Sequence, residues 1–147
     1  MSQPWHAIYP TPRITAAYVS RTKLLQWLKE GKKQTNKDLI IIDLRRTDCE
    51  GGMISGSLNL PAQSLYPSIP TLYSVLTQGR ISKVVWYCGS SRGRGPRAAG
   101  WFADYLAEQR DNRMESLVLE EGIKGWVAAG EEFTQWMTGY EELKWTI

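Results

Sequence analysis

Residues 88–94 constrain this chain more than any other segment, because an apolar run leads into them and a proline follows closely. The run of residues 84–87 is typical of a buried strand, and Pro96 favours the first turn of a helix. A loop with Cys88 at its start and Arg94 at its end, set between a strand and a helix, suits a thiolate that faces a bound oxyanion. The alternative is a buried cysteine that ends a core strand, with solvated arginines beside it.

Each part of this loop has a predicted role. Its length allows it to curl into a ring whose backbone N–H groups point inward, at the positive end of the following helix. The same electrostatic field lowers the pKa of a thiol, so Cys88 is the predicted nucleophile. Arg94 is the predicted bidentate clamp on the oxyanion. The N–H donors belong to the five intervening residues, which are Gly89, Ser90, Ser91, Arg92 and Gly93.

Two side chains inside the loop have further interpretations. Ser91 is expected to donate its hydroxyl to the Cys88 thiolate. Arg92 is expected to point outward, where it either attracts anionic substrates or is simply solvated. Two arginines and a serine have no structural reason to gather in one short loop, which favours the anion site over the buried-cysteine alternative.

Composition excludes several other classes of protein. A net charge of +3 over 147 residues is too small to indicate nucleic-acid binding. The longest aliphatic run, residues 39–42, is too short to span a membrane, and the first residues lack the pattern of a signal peptide. Two cysteines favour a reducing compartment, so the cytoplasm or the nucleus is the expected location. The single histidine, His6, leaves too few ligands for a metal site, and we expect no catalytic role for it.

Alternating apolar runs and helical patterns predict one α/β domain. Residues 1–14 hold three prolines and indicate a lead-in, so the predicted domain spans residues 15–147. Strands are predicted at residues 17–19, 39–44, 57–60, 84–87 and 117–119. Helices are predicted from Ser20 to Gly31 with a polar loop at 32–37, within 65–76, from Pro96 to about Arg110, from Gly122, and within 131–147. This alternation implies a parallel sheet.

Three blocks of the sequence resemble the rhodanese-fold family, and within it the cell-division-cycle dual-specificity phosphatases and the eukaryotic arsenate reductases. The first block contains Asp43, Arg45 and residues 51–61, the second is residues 88–96, and the third is residues 119–126. The order and spacing of the blocks match across the whole domain. The resemblance implies a three-layer fold with a central, mainly parallel sheet flanked by helices.

The length of the loop separates activities within this family. Sulfurtransferases of the fold usually have a six-residue loop, whereas phosphatases and arsenate reductases have seven residues, the length from Cys88 to Arg94. The resemblance therefore implies a phosphatase that hydrolyses aryl phosphates or phosphotyrosine through a phosphocysteine, with phosphoserine and phosphothreonine as further candidates. The alternatives are an arsenate reductase that uses glutathione or glutaredoxin, a sulfurtransferase, and a module that binds oxyanions without turnover. The expected partner is a phosphorylated protein or a small oxyanion, with no other cofactor.

The general acid is the part of the site that the resemblance does not supply. Phosphatases of this group usually have glutamate just before the loop arginine, where this chain has Gly93. Loop position makes Asp48, Glu50, Glu120 and Glu121 candidates. We favour Glu120 or Glu121, because their turn follows a strand and lies at the carboxyl edge of the sheet. Either of them can equally be a solvated charge.

Three residues near the loop complete the predicted site. Cys49, the second cysteine, either traps an oxidised Cys88 as a disulfide or is an incidental loop thiol, and we favour the incidental thiol. Asp43 and Arg45 are expected to form a structural pair near the loop rather than a part of the catalytic machinery.

Overall fold

The centre of the fold is a five-stranded parallel sheet. The computed structural model describes residues 3–33 and 38–145. Its strands are β1 (Ala17–Val19), β2 (Leu39–Asp43), β3 (Met53–Ile54), β4 (Ser57–Asn59), β5 (Lys83–Tyr87), β6 (Glu115–Leu119) and β7 (Met137–Thr138). The sheet has the order β1, β6, β5, β2, β4 with every pair parallel, while β3 and β7 form a separate antiparallel ribbon. The five strands of the sheet confirm the five predicted ones.

Helices cover both faces of this sheet. They are α1 (Arg21–Lys33), α2 (Ala62–Leu65), α3 (Ile69–Gln78), α4 (Arg94–Glu108), α5 (Gly122–Ala128) and α6 (Glu131–Thr134). Residues of α2, α3 and α4 share one buried core with Val84 and Trp86, and residues of α1, α5 and α6 share the other with Val85 and Tyr87. Because successive side chains of a strand point to opposite faces, β5 contributes to both cores. This is the predicted three-layer fold.

The carboxyl edge of the sheet gathers the segments that carry the site. Asp43 at the end of β2 lies opposite Tyr87 at the end of β5, so both strands finish at the same level. The N–H of Leu44 donates to the carbonyl oxygen of Tyr87 at 2.8 Å, which extends the pairing by one residue. Cys88 therefore leaves the sheet beside the loop that follows β2, as expected for adjacent parallel strands.

The N-terminal lead-in packs against α4. The indole Nε1 of Trp101 donates to the carbonyl oxygen of Pro10 at 2.7 Å. Gly100 permits the close approach, since a Cβ atom there would lie 2.6 Å from Cβ of Pro12. The ring of Trp5, in a 3-10 turn at Trp5–Ile8, meets the ring of Trp101 edge to face with centroids 6.1 Å apart. The lead-in is thereby held over the end of the sheet that carries Cys88.

Two details of the predicted secondary structure are wrong. α1 continues through Gly31 to Lys33, because one glycine costs a helix only about 1 kcal/mol relative to alanine. The remainder of the predicted polar loop, residues 34–37, lies outside the described residues. Beyond α6 the chain forms β7, and a two-residue strand is too short for a hydrophobic period to reveal it. Among the helices of residues 3–33 and 38–145, none has the length and apolar character to cross a membrane.

Candidate active site

The thiol of Cys88 is buried beneath the start of α4. Cys88 is only 3% exposed, and the N–H of Gly95 in the first turn of α4 points at its Sγ from 3.4 Å. Ser91 is buried and adopts a positive φ of 59°, which turns the loop back toward the helix. The Ser91 hydroxyl contacts the N–H of Cys88 at 3.5 Å, so within the described residues it supports the main chain of the nucleophile rather than its sulfur.

The first turn of α5 holds the base of this loop. The N–H groups of Ile123 and Lys124 donate to the carbonyl oxygens of Cys88 and Gly89 at 3.1 and 3.0 Å. Gly122 precedes them with φ 60°, and a Cβ atom there would lie 2.5 Å from the carbonyl oxygen of Gly89. The second and third sequence blocks are therefore in direct backbone contact.

A buried ion pair fixes the loop after β2. Asp43 and Arg45 are both almost fully buried, and Nη2 of Arg45 lies 2.8 Å from Oδ2 of Asp43. Arg45 also donates to the carbonyl oxygens of Glu50 and Gly52, at 3.2 and 2.8 Å. Burial is the largest single influence on the pKa of Arg45 and lowers it, but the hydrogen bonds and the charge attraction to Asp43, with smaller contributions from Cys49 and Tyr87, together raise the pKa overall. The predicted structural pair is present, and it shapes the backbone of residues 45–52.

Arg94 forms an ion pair with an acidic side chain of the same protein. Its Nη1 and Nη2 donate to Oδ1 and Oδ2 of Asp48, at 2.9 and 2.6 Å, in a bidentate ion pair. The hydrogen bonds from Arg94 lower the pKa of Asp48 to about 2, and the same contact raises the pKa of Arg94. The group predicted to clamp an oxyanion is therefore occupied by a carboxylate of the protein itself.

A cavity of about 630 Å³ opens above Cys88. Five of its lining residues are lysine or arginine and two are acidic, so the cavity favours an anionic ligand. The cationic residues are Arg45, Arg94, Arg97, Lys124 and Lys144, and the acidic ones are Asp48 and Glu50. Its lining also contains Gly89, Ser90 and Gly93 of the loop and the aromatic side chains of Trp5, His6 and Trp145.

Both chain termini supply residues that sequence reasoning missed. We expected no part for His6, yet the packing of the lead-in on Trp101 places it in the lining of the Cys88 cavity. Trp145, near the C-terminus, joins the same lining, and its Nε1 donates to the carbonyl oxygen of Gly51 at 3.0 Å. No local pattern could reveal these positions, because they depend on how the terminal segments pack.

The predicted acids Glu120 and Glu121 line a neighbouring groove. This groove, of about 800 Å³, also contains Arg92 and meets the Cys88 cavity at Ser90 and Lys124. Glu121 has a positive φ of 66°, and its Oε2 lies 3.4 Å from Nη1 of Arg21. In the described residues the acidic side chains that line the Cys88 cavity are Asp48 and Glu50. The assignment of the acid to Glu120 or Glu121 stays a prediction, and the geometry does not favour it.

Cys49 lies against the Asp43 carboxylate. Its half-buried Sγ donates to Oδ2 of Asp43 at 3.8 Å, and burial raises the pKa of its thiol. A raised pKa reduces the thiolate fraction, which makes the thiol a slower partner in disulfide exchange. Both cysteines are free in this structure. That Cys49 is an incidental loop thiol stays a prediction, with a disulfide to an oxidised Cys88 as its alternative.

The fold and this loop together define a parallel α/β domain with a buried cysteine in a cation-rich cavity. The family model of the rhodanese-like domain matches residues 23–129, and the chain belongs to that family. This confirms the resemblance drawn from the three sequence blocks.

Relatives of two named activities are similar to the chain. It is 32% identical over 120 residues to arsenate reductase 2.1 of Oryza sativa subsp. japonica, a match covering 80% of this chain and 71% of that protein. It is 31% identical over 110 residues to the dual specificity phosphatase ibp1 of Schizosaccharomyces pombe, covering 75% of each. The structure resembles that of Ygr203w, a yeast protein tyrosine phosphatase of the rhodanese family, with a TM-score of 0.73 and 23% identity. That match covers 90% of this chain and 98% of the other, and at such identity it shows the fold alone.

Proposed function

We propose that this protein is a cysteine-dependent phosphatase that hydrolyses aryl phosphates, phosphotyrosine among them, through a phosphocysteine intermediate. The observation that carries the proposal is the position of Cys88 Sγ, which lies 3.4 Å from the N–H of Gly95 at the helix start, in the same cavity as Arg94. A helix N-terminus stabilises negative charge, and the thiolate is the nucleophilic form of a cysteine.

In the first step the Cys88 thiolate attacks phosphorus in line with the ester oxygen. The sulfur–phosphorus bond forms as the phosphorus–oxygen bond breaks, and the leaving oxygen takes a proton from an acid. The guanidinium of Arg94 binds two equatorial oxygens, and the loop N–H groups stabilise the negative charge on the phosphoryl group. In the second step water attacks the phosphocysteine, a base takes its proton, and phosphate leaves with the Cys88 thiolate restored.

The cavity walls suggest the class of ester. Trp5 and Trp145 line the opening above Cys88 and offer apolar surface to an aromatic leaving group. Lys124 and Lys144 add positive charge at the same opening, which suits a phosphorylated segment with further anionic groups around it. We therefore propose phosphorylated proteins as substrates, with the phosphorylated side chain reaching Cys88 through this opening.

Hydrolysis of p-nitrophenyl phosphate, in the presence of a chelator and a reductant, tests the proposal. The wild type is expected to turn over, and Cys88→Ser is expected to lose activity completely. Rapid acid quenching of the wild type during turnover is expected to trap one phosphoryl group on Cys88, detected by peptide mass spectrometry. Absence of turnover by the folded wild type on aryl phosphates and on phosphotyrosine peptides would contradict the proposed function.

A second candidate is arsenate reduction, which the rice relative supports by its name. Arsenate is a tetrahedral oxyanion like phosphate, so the same loop can bind it. Reduction of As(V) to As(III) takes two electrons, which come from oxidation of two thiols to a disulfide, with water released. Cys88 supplies one thiol, and glutathione or glutaredoxin supplies the other. Arsenate-dependent oxidation of glutathione that is lost in Cys88→Ser would establish this activity.

A further inference from the structure

The ion pair between Asp48 and Arg94 uses the same atoms that an oxyanion needs. Both terminal nitrogens of Arg94 donate to the Asp48 carboxylate, at 2.9 and 2.6 Å. A guanidinium presents one planar fork, so a carboxylate and a phosphoryl group cannot both engage it in bidentate fashion. Because Arg94 lies in the same cavity as Cys88, a phosphoryl group on the sulfur and the Asp48 carboxylate compete for it.

We propose that Asp48 is a catalytic residue of the proposed phosphatase reaction, which this inference deepens and on which it rests. Its carboxylate occupies Arg94 in the free enzyme. The phosphoryl group of the substrate displaces it, and the displaced carboxylate takes up a proton from solvent. It then serves as the acid that protonates the leaving oxygen. Binding of the substrate thus prepares the acid at the place where it is needed.

The side chain of Asp48 is able to move while its backbone stays in place. The carboxylate is 49% exposed and faces the cavity. The main chain beneath it is held by the N–H of Cys49, which donates to the carbonyl oxygen of Arg46 at 3.2 Å. The N–H of Arg46 also donates to Oδ1 of Asp48 at 3.0 Å, so a rotated carboxylate stays tethered near the loop.

Displacement takes the Asp48 carboxylate away from a positive charge and therefore favours its protonated form. Arg94 is the largest cause that lowers the pKa of Asp48, to about 2. Once the guanidinium is neutralised by a phosphoryl group, this cause is removed, and the adjacent dianion further favours the protonated carboxyl group. The other titratable and charged groups around it act in both cases and do not reverse this change. They are His6, Arg45, Arg46, Cys49, Glu50, Cys88, Arg97, Lys124 and Lys144.

The carboxyl group of Asp48 acts as the acid in the first chemical step and as the base in the second. As the Cys88 sulfur–phosphorus bond forms, the phosphorus–oxygen bond of the ester breaks and the leaving oxygen takes the proton of the Asp48 carboxyl group. In the second step water attacks phosphorus, the Asp48 carboxylate takes one proton from that water, and the sulfur–phosphorus bond breaks. Phosphate departs, the thiolate is restored, and the Asp48 carboxyl group releases its proton to solvent and engages Arg94 again.

Asp48→Asn tests the competition without any turnover. The variant removes the charge that holds Arg94, so inorganic phosphate is expected to bind about fivefold more tightly, the effect of one partly exposed ion pair. Affinity is measured by protection of Cys88 from alkylation and by titration calorimetry. Glu50→Gln is the matched control, because it removes one negative charge from the same cavity without freeing Arg94. Equal phosphate affinity in Asp48→Asn and the wild type, or an equal gain in Glu50→Gln, would overturn the competition.

The acid role is tested by varying the leaving group. With phenyl phosphate, whose leaving oxygen needs a proton, kcat of Asp48→Asn is expected to fall about a hundredfold or more. With p-nitrophenyl phosphate, whose leaving group departs more readily as an anion, the fall is expected to be much smaller. Asp48→Glu keeps a carboxyl group and is expected to restore part of the activity on phenyl phosphate. Equal losses on both substrates would overturn the acid role.

Failure of the proposed phosphatase function can be distinguished from failure of the competition between Asp48 and phosphate. If the folded wild type hydrolyses no ester, the phosphatase proposal and the acid role are both overturned. The phosphate affinities of the wild type, Asp48→Asn and Glu50→Gln still decide whether Asp48 competes for Arg94, because that comparison needs no turnover.

Discussion

Gly122 and Gly89 are packed so closely that no side chain fits at Gly122 between the turn and the loop. A Cβ atom on Gly122 would lie 2.5 Å from the carbonyl oxygen of Gly89, and the backbone of Gly122 has a positive φ of 60°. The first turn of α5 thus fixes the backbone conformation at the start of the Cys88 loop. A glycine that lies far from the loop in the sequence is therefore required for the conformation of the loop.

Gly122→Ala is expected to disturb the loop as well as the fold. Backbone strain at a positive φ costs about 1–3 kcal/mol, and the clash adds to it, because the neighbouring atoms are backbone and cannot rotate away. Urea unfolding measures the loss, and the rate of Cys88 alkylation reports on the loop. Gly56→Ala is the matched control, since Gly56 also has a positive φ, 85°, but its Cβ would meet nothing within 4 Å. Equal effects of the two variants would show that the contact with Gly89 imposes no constraint.

Arg45→Met is expected to be among the most destabilising single changes in the chain. It leaves the buried carboxylate of Asp43 without its partner, and an uncompensated buried charge costs about 3–5 kcal/mol. The variant also removes the donors to the carbonyl oxygens of Glu50 and Gly52. Lys29→Met is the control, because Lys29 pairs with Glu132 at an exposed site and its loss is expected to cost less than about 1 kcal/mol. The two free energies of unfolding, from urea denaturation, are to be compared at neutral pH.

The parts of the fold that the sequence predicts are those with local signals. The apolar run before Cys88 predicts β5 and its burial on both faces, and the glycine and proline around Arg94 predict the start of α4. These two elements predict where the loop between them begins and ends, and its length is the seven residues from Cys88 to Arg94. These features need no knowledge of distant contacts, which is why they emerge from one sequence.

The rest of the site depends on contacts between distant segments. Asp48 and Arg94 are far apart in the chain, and Asp48 was one of four acidic candidates until the structure paired them. Glu121 follows β6 at the expected edge, but its left-handed backbone lies in a turn whose groove adjoins the Cys88 cavity. His6 and Trp145 reach the cavity only through packing of the terminal segments. Tertiary placement of this kind leaves no periodic pattern in the sequence.

Lys124→Met is expected to raise KM for an aryl phosphate about fivefold, the effect of losing one partly exposed charge interaction. A Cβ atom at Gly89 would lie 3.6 Å from Cε of Lys124 and 3.9 Å from Nη2 of Arg94, so both cations flank the same point of the loop. The backbone N–H of Lys124 donates to the carbonyl oxygen of Gly89, and Lys124→Met keeps this hydrogen bond, so the variant is expected to retain the loop conformation. Lys23→Met, on the exposed side of α1, is the control and should leave KM unchanged.

Because salt screens the interaction, the wild-type KM is expected to rise more steeply with ionic strength than that of Lys124→Met. Parallel salt curves would contradict a direct role for this charge.

The ion pair of Asp48 and Arg94 predicts how stability depends on pH. The pKa of Asp48 is about 2 in the folded protein and 3.8 as its ordinary value. A carboxylate whose pKa is lowered on folding stabilises the protein above its ordinary pKa, and this contribution is lost as pH falls from about 4 toward 2. Because the pair is half-exposed, the contribution is expected to be no more than about 1 kcal/mol.

Urea unfolding of the wild type and Asp48→Asn, from about pH 6 down to about pH 2.5, measures this contribution. The wild type is expected to be the more stable of the two at about pH 6, and the difference is expected to shrink as Asp48 takes up its proton. Salt at about 1 M is expected to reduce the difference at pH 6, since the pair is open to solvent. A difference that stays constant across this range would mean that the ion pair with Arg94 is not its source.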